Sequence, residues 1–237
     1  MSNVLLQLKH WYAGYAGVDV LNGIDMSVKQ GEIVALVGSN GAGKTTLLRS
    51  LSRTLKGRGE ITFAGRSLYD DTPEKVFESG LVQVPEGRML FDQMSVQENL
   101  LMGAYRRQDN NAIKDSLEYV YGLFPKMYER RQQRSGSMSG GEQQMCAMGR
   151  ALMASPKLLL VDEMSLGLAP VIVDQLLDIL STIRDQGITV LLVEQDIYAA
   201  LEIADRGYVM VTGSITQSGT AEELRNDPHI REAYLGL

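Results

Sequence analysis

Apolar and polar residues alternate twice near the start of the chain, at Val4, Leu6 and Leu8 and again at Ile24, Met26 and Val28. A period of two predicts half-buried antiparallel strands. Later stretches are almost continuously apolar: Ile33 to Val37, Leu81 to Val84, Leu158 to Val161 and Thr189 to Val193. These read as strands buried on both faces. Glu60 to Gly65 predicts a strand and turn, and Tyr208–Val211 with Ser214–Thr216 a closing hairpin around Gly213. Between the strand-rich parts the period lengthens. Ile113, Leu117, Val120, Tyr121 and Phe124 recur at helical spacing, and Ser95 with Glu98 has capping-box spacing. The tail from Ala221 to Leu237 reads as a helix, a break at Pro228 and a second short helix. The pattern implies an α/β fold, a mixed sheet with an antiparallel N-terminal β-subdomain. A helical subdomain at about 88–154 is inserted between core segments 1–87 and 155–237, all within one domain.

Composition narrows the setting. The hydrophobic content of 44% and charged content of 22% over 237 residues suit a globular protein able to bury a core. A formal net charge of -6 argues against a nucleic-acid partner, which calls for a basic stripe. The single cysteine, Cys146, permits no internal disulfide. Met1-Ser2-Asn3-Val4 lacks a basic stretch followed by an apolar core, so no leader is expected. No apolar run approaches the roughly 18 residues of a membrane span. A cytoplasmic chain is expected, peripheral to a membrane if its partners are membrane proteins.

The chemistry centres on Gly38-Ser39-Asn40-Gly41-Ala42-Gly43-Lys44-Thr45, which matches G-x-x-x-x-G-K-[ST]. A buried strand precedes it, and Thr45-Thr46-Leu47-Leu48 opens a helix after it. The free amides and positive dipole end of that helix favour an anion. Lys44 would reach the β- and γ-phosphates of a nucleotide, and the Thr45 hydroxyl would ligate Mg2+. The expected core is that of a P-loop NTPase, with one such loop and hence one nucleotide unit.

Three further stretches carry candidate chemistry. Trp11-Tyr12-Ala13-Gly14-Tyr15-Ala16-Gly17 reads as an aromatic-rich turn between the first two strands, whose rings serve either as core or as a stacking surface for a base. Ser139-Gly140-Gly141-Glu142 has capping-box spacing at the start of a helix running to Ala154. It is either a well-capped helix start or a second phosphate site. The strand at Leu158–Val161 ends in Asp162-Glu163, at the edge where α/β sheets bind ligands. Asp162 can hold Mg2+ through water, and Glu163 can orient or deprotonate an attacking water.

The order of these motifs, the phosphate loop, then Ser139-Gly140-Gly141-Glu142-Gln143, then Leu158 to Glu163, resembles the nucleotide-binding subunit of ABC transporters over essentially the whole chain. Pro85-Glu86-Gly87-Arg88, Ser165-Leu166-Gly167-Leu168-Ala169-Pro170, Val193-Glu194-Gln195 and the ending Ala233-Tyr234-Leu235-Gly236 are similar to the branched-chain amino-acid importer ATPases, specifically the subunit with the Pro-Glu-Gly-Arg loop. The resemblance implies ATP and Mg2+ as cofactors and ATP hydrolysis coupled to transport. It implies a second ATP-binding subunit, identical or paralogous, packed head to tail, so that Ser139, Gly140, Gly141 and Glu142 meet the partner's nucleotide. It also implies transmembrane permease partners and, indirectly, a periplasmic or extracellular solute-binding protein. By family position Tyr15 stacks on adenine, Glu86 takes a Mg2+-ligand place usually held by Gln, and Gln195 takes a switch place usually held by His. Gln can donate to a γ-phosphate but cannot carry a proton charge. Met164 and Ala169 stand where Pro and Asp are usual. Importers for urea, amides or small acids share these motifs, and a soluble ABC-type ATPase is a further alternative. The cluster Arg88, Met89, Leu90, Phe91 and Met94 is read either as core or as a permease docking patch.

Overall fold

The computed structural model describes residues 3–235; Gly236 of the ending quoted above lies outside them. In chain order the elements are β1 (Val4–Tyr15), β2 (Val18–Lys29), β3 (Ile33–Val37), α1 (Lys44–Leu51), β4 (Gly57–Phe63), β5 (Arg66–Ser67), α2 (Pro73–Glu78), β6 (Leu81–Val84), α3 (Val96–Met102), α4 (Asn110–Leu123), α5 (Pro125–Glu129) and α6 (Gly140–Leu152). After these come β7 (Leu158–Asp162), α7 (Pro170–Asp185), β8 (Thr189–Glu194), α8 (Ile197–Ile203), β9 (Arg206–Val211), β10 (Ser214–Thr220), α9 (Ala221–Asn226) and α10 (Pro228–Leu235).

Two sheets result. An antiparallel sheet has the order β2-β1-β4-β5, and a six-stranded mixed sheet the order β10-β9-β3-β8-β7-β6. In the second, β9, β3, β8, β7 and β6 run parallel and only β10 is antiparallel. Every residue of β3, β7 and β8 is buried, as their apolar runs require. Their side chains alternate between two cores. Ile33, Ala35 and Val37 face the core built with α3–α8, whereas Val34 and Leu36 face the core shared with β1, β2 and α1. The six-stranded sheet is therefore covered by helices on one side and by α1 and the antiparallel sheet on the other.

The stretch from Trp11 to Gly17 is not a turn. It is strand up to Tyr15, and Ala16-Gly17 alone makes the turn. Register shifts on either side of Trp11 and Ala13 let β1 carry this glycine-containing segment. A Cβ at Gly14 would sit 1.8 Å from the Val18 carbonyl oxygen, so the chain crosses itself there too closely for any side chain. Trp11 is fully buried and its Nε1 donates to Ser50 Oγ of α1 at 2.9 Å, so it is core. Trp11→Ala should cost about 3–5 kcal/mol of unfolding free energy, read from the denaturant midpoint, because a large ring and its hydrogen bond leave together.

Helix α7 was not foreseen, although Leu176, Leu177, Leu180 and Ile183 form its buried stripe. Met164, unexplained from sequence, is 1% exposed within the helix-side core, where a flexible thioether fills space after the last turn of strand β7. Cys146 is likewise packing: burial pushes its thiol up to about 12, which leaves it inert.

Candidate functional site

Parallel register brings four strand ends to one edge. Val37 pairs with Glu194, Asp162 with Val193 and Val84 with Val161. The segments that follow, Gly38 onward, Glu163, Gln195 and Pro85-Glu86, therefore emerge side by side. A cleft of about 460 Å³ opens there, lined by Asn40, Gly41, Gly43, Lys44, Thr45, Thr46, Glu86 and Glu163 together with Val20 and Leu166. The last two had no signal beyond apolarity.

The phosphate loop owes its shape to its glycines. A Cβ at Gly38 would lie 2.3 Å from the Met210 carbonyl oxygen, and Gly43 caps α1 at φ 109°, a conformation L side chains rarely adopt. No side chain caps α1 and no acidic residue lies in its first turn, so its amides and dipole stay available to an anion. Ser39 and Ala42 close the loop through the bond from the Ala42 amide to the Ser39 carbonyl at 3.1 Å.

Lys44 is buried and its ammonium group is fully engaged. It donates to the Gly38 carbonyl at 2.7 Å and the Ser39 carbonyl at 3.3 Å, and Nζ lies 3.0 Å from Glu163 Oε1. Glu163 has a left-handed backbone, φ 43°, with its amide donating to the Val193 carbonyl at 2.9 Å. For a residue with a side chain this conformation costs about 1–3 kcal/mol and recurs at functional sites.

Asp162 lies just beneath, 1% exposed. Burial, then the charges of Glu163 and Glu86, push its carboxyl up to about 6 against the opposing Lys44 and Arg49. Its Oδ1 is buried with no hydrogen-bond partner. An orphaned carboxylate oxygen with an adjacent hydroxyl suits a hard cation. Among the described residues no three His, Cys, Asp or Glu side chains converge as a metal cage. Mg2+ needs none, because it retains waters and takes phosphate oxygens as ligands.

Tyr15, at the end of β1, is 42% exposed and outside the cleft lining. It is tied to α1 by Arg49 Nη1, which donates to its hydroxyl at 3.2 Å. Burial alone would push the phenol up, but hydrogen bonding to Thr46 and Arg49 brings it below its ordinary value. Gln195 follows β8 directly and is exposed, also outside the lining.

Ser139–Glu142 is not part of this cleft. Ser139 is exposed and Gly140 and Gly141 are partly so. The capping box is complete: Ser139 Oγ accepts from the Glu142 amide, and the Glu142 carboxylate accepts from the Ser139 amide at 3.0 Å. Arg130 Nε stands 3.1 Å from the other Glu142 oxygen. Burial raises the Glu142 carboxyl, yet bonds from Ser139 and the charges of Arg130 and Lys126 hold it below its usual value. The Gly140 and Gly141 amides find no acceptor among the described residues. Both readings of this segment, cap and open amide pair, are thus compatible in one geometry.

A family profile described as ABC transporter matches residues 21–165. The chain is 45% identical to the high-affinity branched-chain amino acid transport ATP-binding protein BraG of Pseudomonas aeruginosa, over 94% of this chain and 95% of that one. This chain belongs to the ABC transporter ATP-binding family. Its identity to BraF of the same organism, of the same printed description, is 27% over 100% of this chain and 99% of that one. The fold matches the ADP conformation of an ATP-binding cassette of an ABC transporter with TM-score 0.86 and 25% identity, covering 99% of both chains. As an ABC ATPase, the chain carries its phosphate loop, Glu163 and Glu86 in one cleft and Ser139 on a separate exposed helix start. No helix of the described residues is long and apolar enough to cross a membrane.

Proposed function

We propose that this ABC ATPase hydrolyses ATP to energise import of branched-chain aliphatic amino acids. The observation that carries the ATPase reading is the uncapped start of α1 facing the Lys44–Glu163 pair across an open cleft. The amides of Asn40 to Thr45 would cradle the phosphates, and Lys44 would leave Glu163 for a phosphate oxygen. That move frees the Glu163 carboxylate to accept a proton from water. Tyr15 would stack on adenine from the edge fixed by Arg49. Gln195 would donate to the γ-phosphate. Thr45, Asp162 and Glu86 would hold Mg2+, which supplies charge neutralisation for the transferring phosphoryl group.

Residues 1–237 act as one ATP-binding unit with a helical subdomain, and the working form is a head-to-tail pair. Ser139, with the open amides of Gly140 and Gly141 and with Glu142, then faces the partner's nucleotide. The higher identity to BraG than to BraF favours a paralogous partner. Purified chain should release phosphate from ATP, more so on mixing with that partner. Vesicles holding the permease subunits should take up leucine, isoleucine or valine when a loaded solute-binding protein is present. Uptake of urea or amides instead would move the solute assignment and leave the ATPase intact.

The permease would dock at the cytoplasmic face of the membrane, on the groove of Phe77, Phe91, Met102, Tyr105 and Arg150. Of the cluster that sequence left between core and docking patch, Met89 is 68% and Phe91 48% exposed. Phe91→Glu should cut coupled uptake about tenfold or more, as loss of one buried anchor does. ATPase activity of the isolated chain should stay within about twofold of wild type. A loss of folding in the thermal melt would return Phe91 to the core reading.

A further inference from the structure

Gln195 is preceded by a carboxylate that the mechanism above does not use. Glu194 ends β8, is 2% exposed, and points toward the loop that follows Glu163. Its Oε1 accepts from the Ser165 amide at 3.1 Å and its Oε2 from the Ser165 hydroxyl at 2.7 Å. Both oxygens are thus spent on one residue, two positions beyond Glu163. The Glu163 amide is itself bonded to the Val193 carbonyl, the residue before Glu194. On the other side of Gln195, Asp196 caps α8 by accepting from the Tyr198 and Ala199 amides.

A buried carboxylate is expensive to maintain and persists where it is fully hydrogen-bonded. Here the same two strands carry the proposed base and the proposed γ-phosphate donor, and the loop after Glu163 holds a left-handed residue that its own sequence does not favour. A single tie across β7 and β8 fixes both. We propose that Glu194 is a positioning residue of the hydrolytic centre: through Ser165 it locks the Glu163 loop to the strand end that presents Gln195. The inference rests on the reading of Glu163 as the hydrolytic base and adds to it the group that holds that base in place. Ground-state nucleotide binding, made by the phosphate loop, does not pass through this tie.

The test is a steady-state ATPase comparison of the full chain carrying Glu194→Gln, Ser165→Ala, both together, and Ser165→Thr. Misplacing a reacting group by about 1 Å costs on the order of 100-fold. Each single change is therefore expected to lower kcat about 10- to 100-fold while KM for ATP stays within about twofold. The double variant should lose no more than the worse single, because both remove one interaction. Ser165→Thr, which keeps the hydroxyl, should restore most of the activity lost in Ser165→Ala. Unchanged kcat, losses that multiply in the double variant, or a rise in KM in place of a fall in kcat would overturn the proposal. If Glu194→Gln does not fold, the Ser165→Ala and Ser165→Thr pair decides alone, since both leave the carboxylate in place. Glu163→Gln in the same assay separates the two levels. Surviving turnover there ends the reading of Glu163, whereas lost turnover beside a wild-type Glu194→Gln ends only the present inference.

Discussion

Replacing Glu163 by glutamine is expected to lower turnover by about 100- to 10,000-fold, the range attached to a lost general base, while ATP binding persists. The amide has the size and polarity of the carboxylate but cannot accept the proton of the attacking water. It also removes one negative charge from a cleft that already holds Glu86 and the buried Asp162. A triphosphate should therefore bind at least as well in the variant as in the wild type. Lys44 keeps its two carbonyl acceptors and loses only its ionic partner, so it is freer to turn toward phosphate. With hydrolysis blocked, the bound nucleotide should hold two chains together. Phosphate release measures the first effect, and size-exclusion chromatography with light scattering, with and without ATP, measures the second. Hydrolysis within about tenfold of wild type would assign the base to another group, since a general base contributes at least about 100-fold. A purely regulatory nucleotide module would show binding with no change in rate.

What could be read from sequence was local. The phosphate loop needs a strand, a glycine turn and a helix start, all contiguous, and each left its mark between Ile33 and Leu51. The double burial of β3, β7 and β8 was equally plain, because a strand with a core on each face admits no polar period. The capping boxes at Ser95 and Ser139 are spacings of three residues and stand in the structure as written. Errors arose where one local cue outweighed another. Aromatic and glycine residues at 11–17 looked like a turn, yet bulges let a strand carry them. Pro170 looked like the end of a loop, yet it is the first residue of α7, where its fixed φ suits a helix start.

Non-local bonds left no trace in sequence. The Lys44–Glu163 pair and the Glu194–Ser165 tie both depend on how β3, β7 and β8 align, which no single segment encodes. Arg49 was in view only as part of a helix, and its hold on Tyr15 required the bulged hairpin to fold back over α1. The docking patch was ambiguous for a related reason. Apolar residues mostly pack inside, and only the fold shows that Met89 and Phe91 remain outside.

Lys44→Ala should raise the dissociation constant for ATP by about 100-fold or more and abolish measurable turnover, the second large effect expected. A charge-assisted phosphate contact removed from a water-excluded site is worth about 2.7–4 kcal/mol by analogy with a lost oxyanion donor. The variant also strips the cleft of the buried cation that faces Glu163, with Asp162 and Glu86 nearby. Breaking a fully buried pair costs about 3–5 kcal/mol. Here the cost should be smaller, because Glu163 keeps 13% of its side chain exposed and can hydrate. The thermal midpoint should fall accordingly. Adding Glu163→Gln to Lys44→Ala should recover that stability, since no unpaired carboxylate then remains, and should recover no nucleotide affinity. Equilibrium binding of a fluorescent ATP analogue and thermal melts of the four proteins complete the cycle. If the second change restored binding, Lys44 would serve only to neutralise Glu163. If it restored neither binding nor stability, the ion pair would not be what holds the empty cleft together.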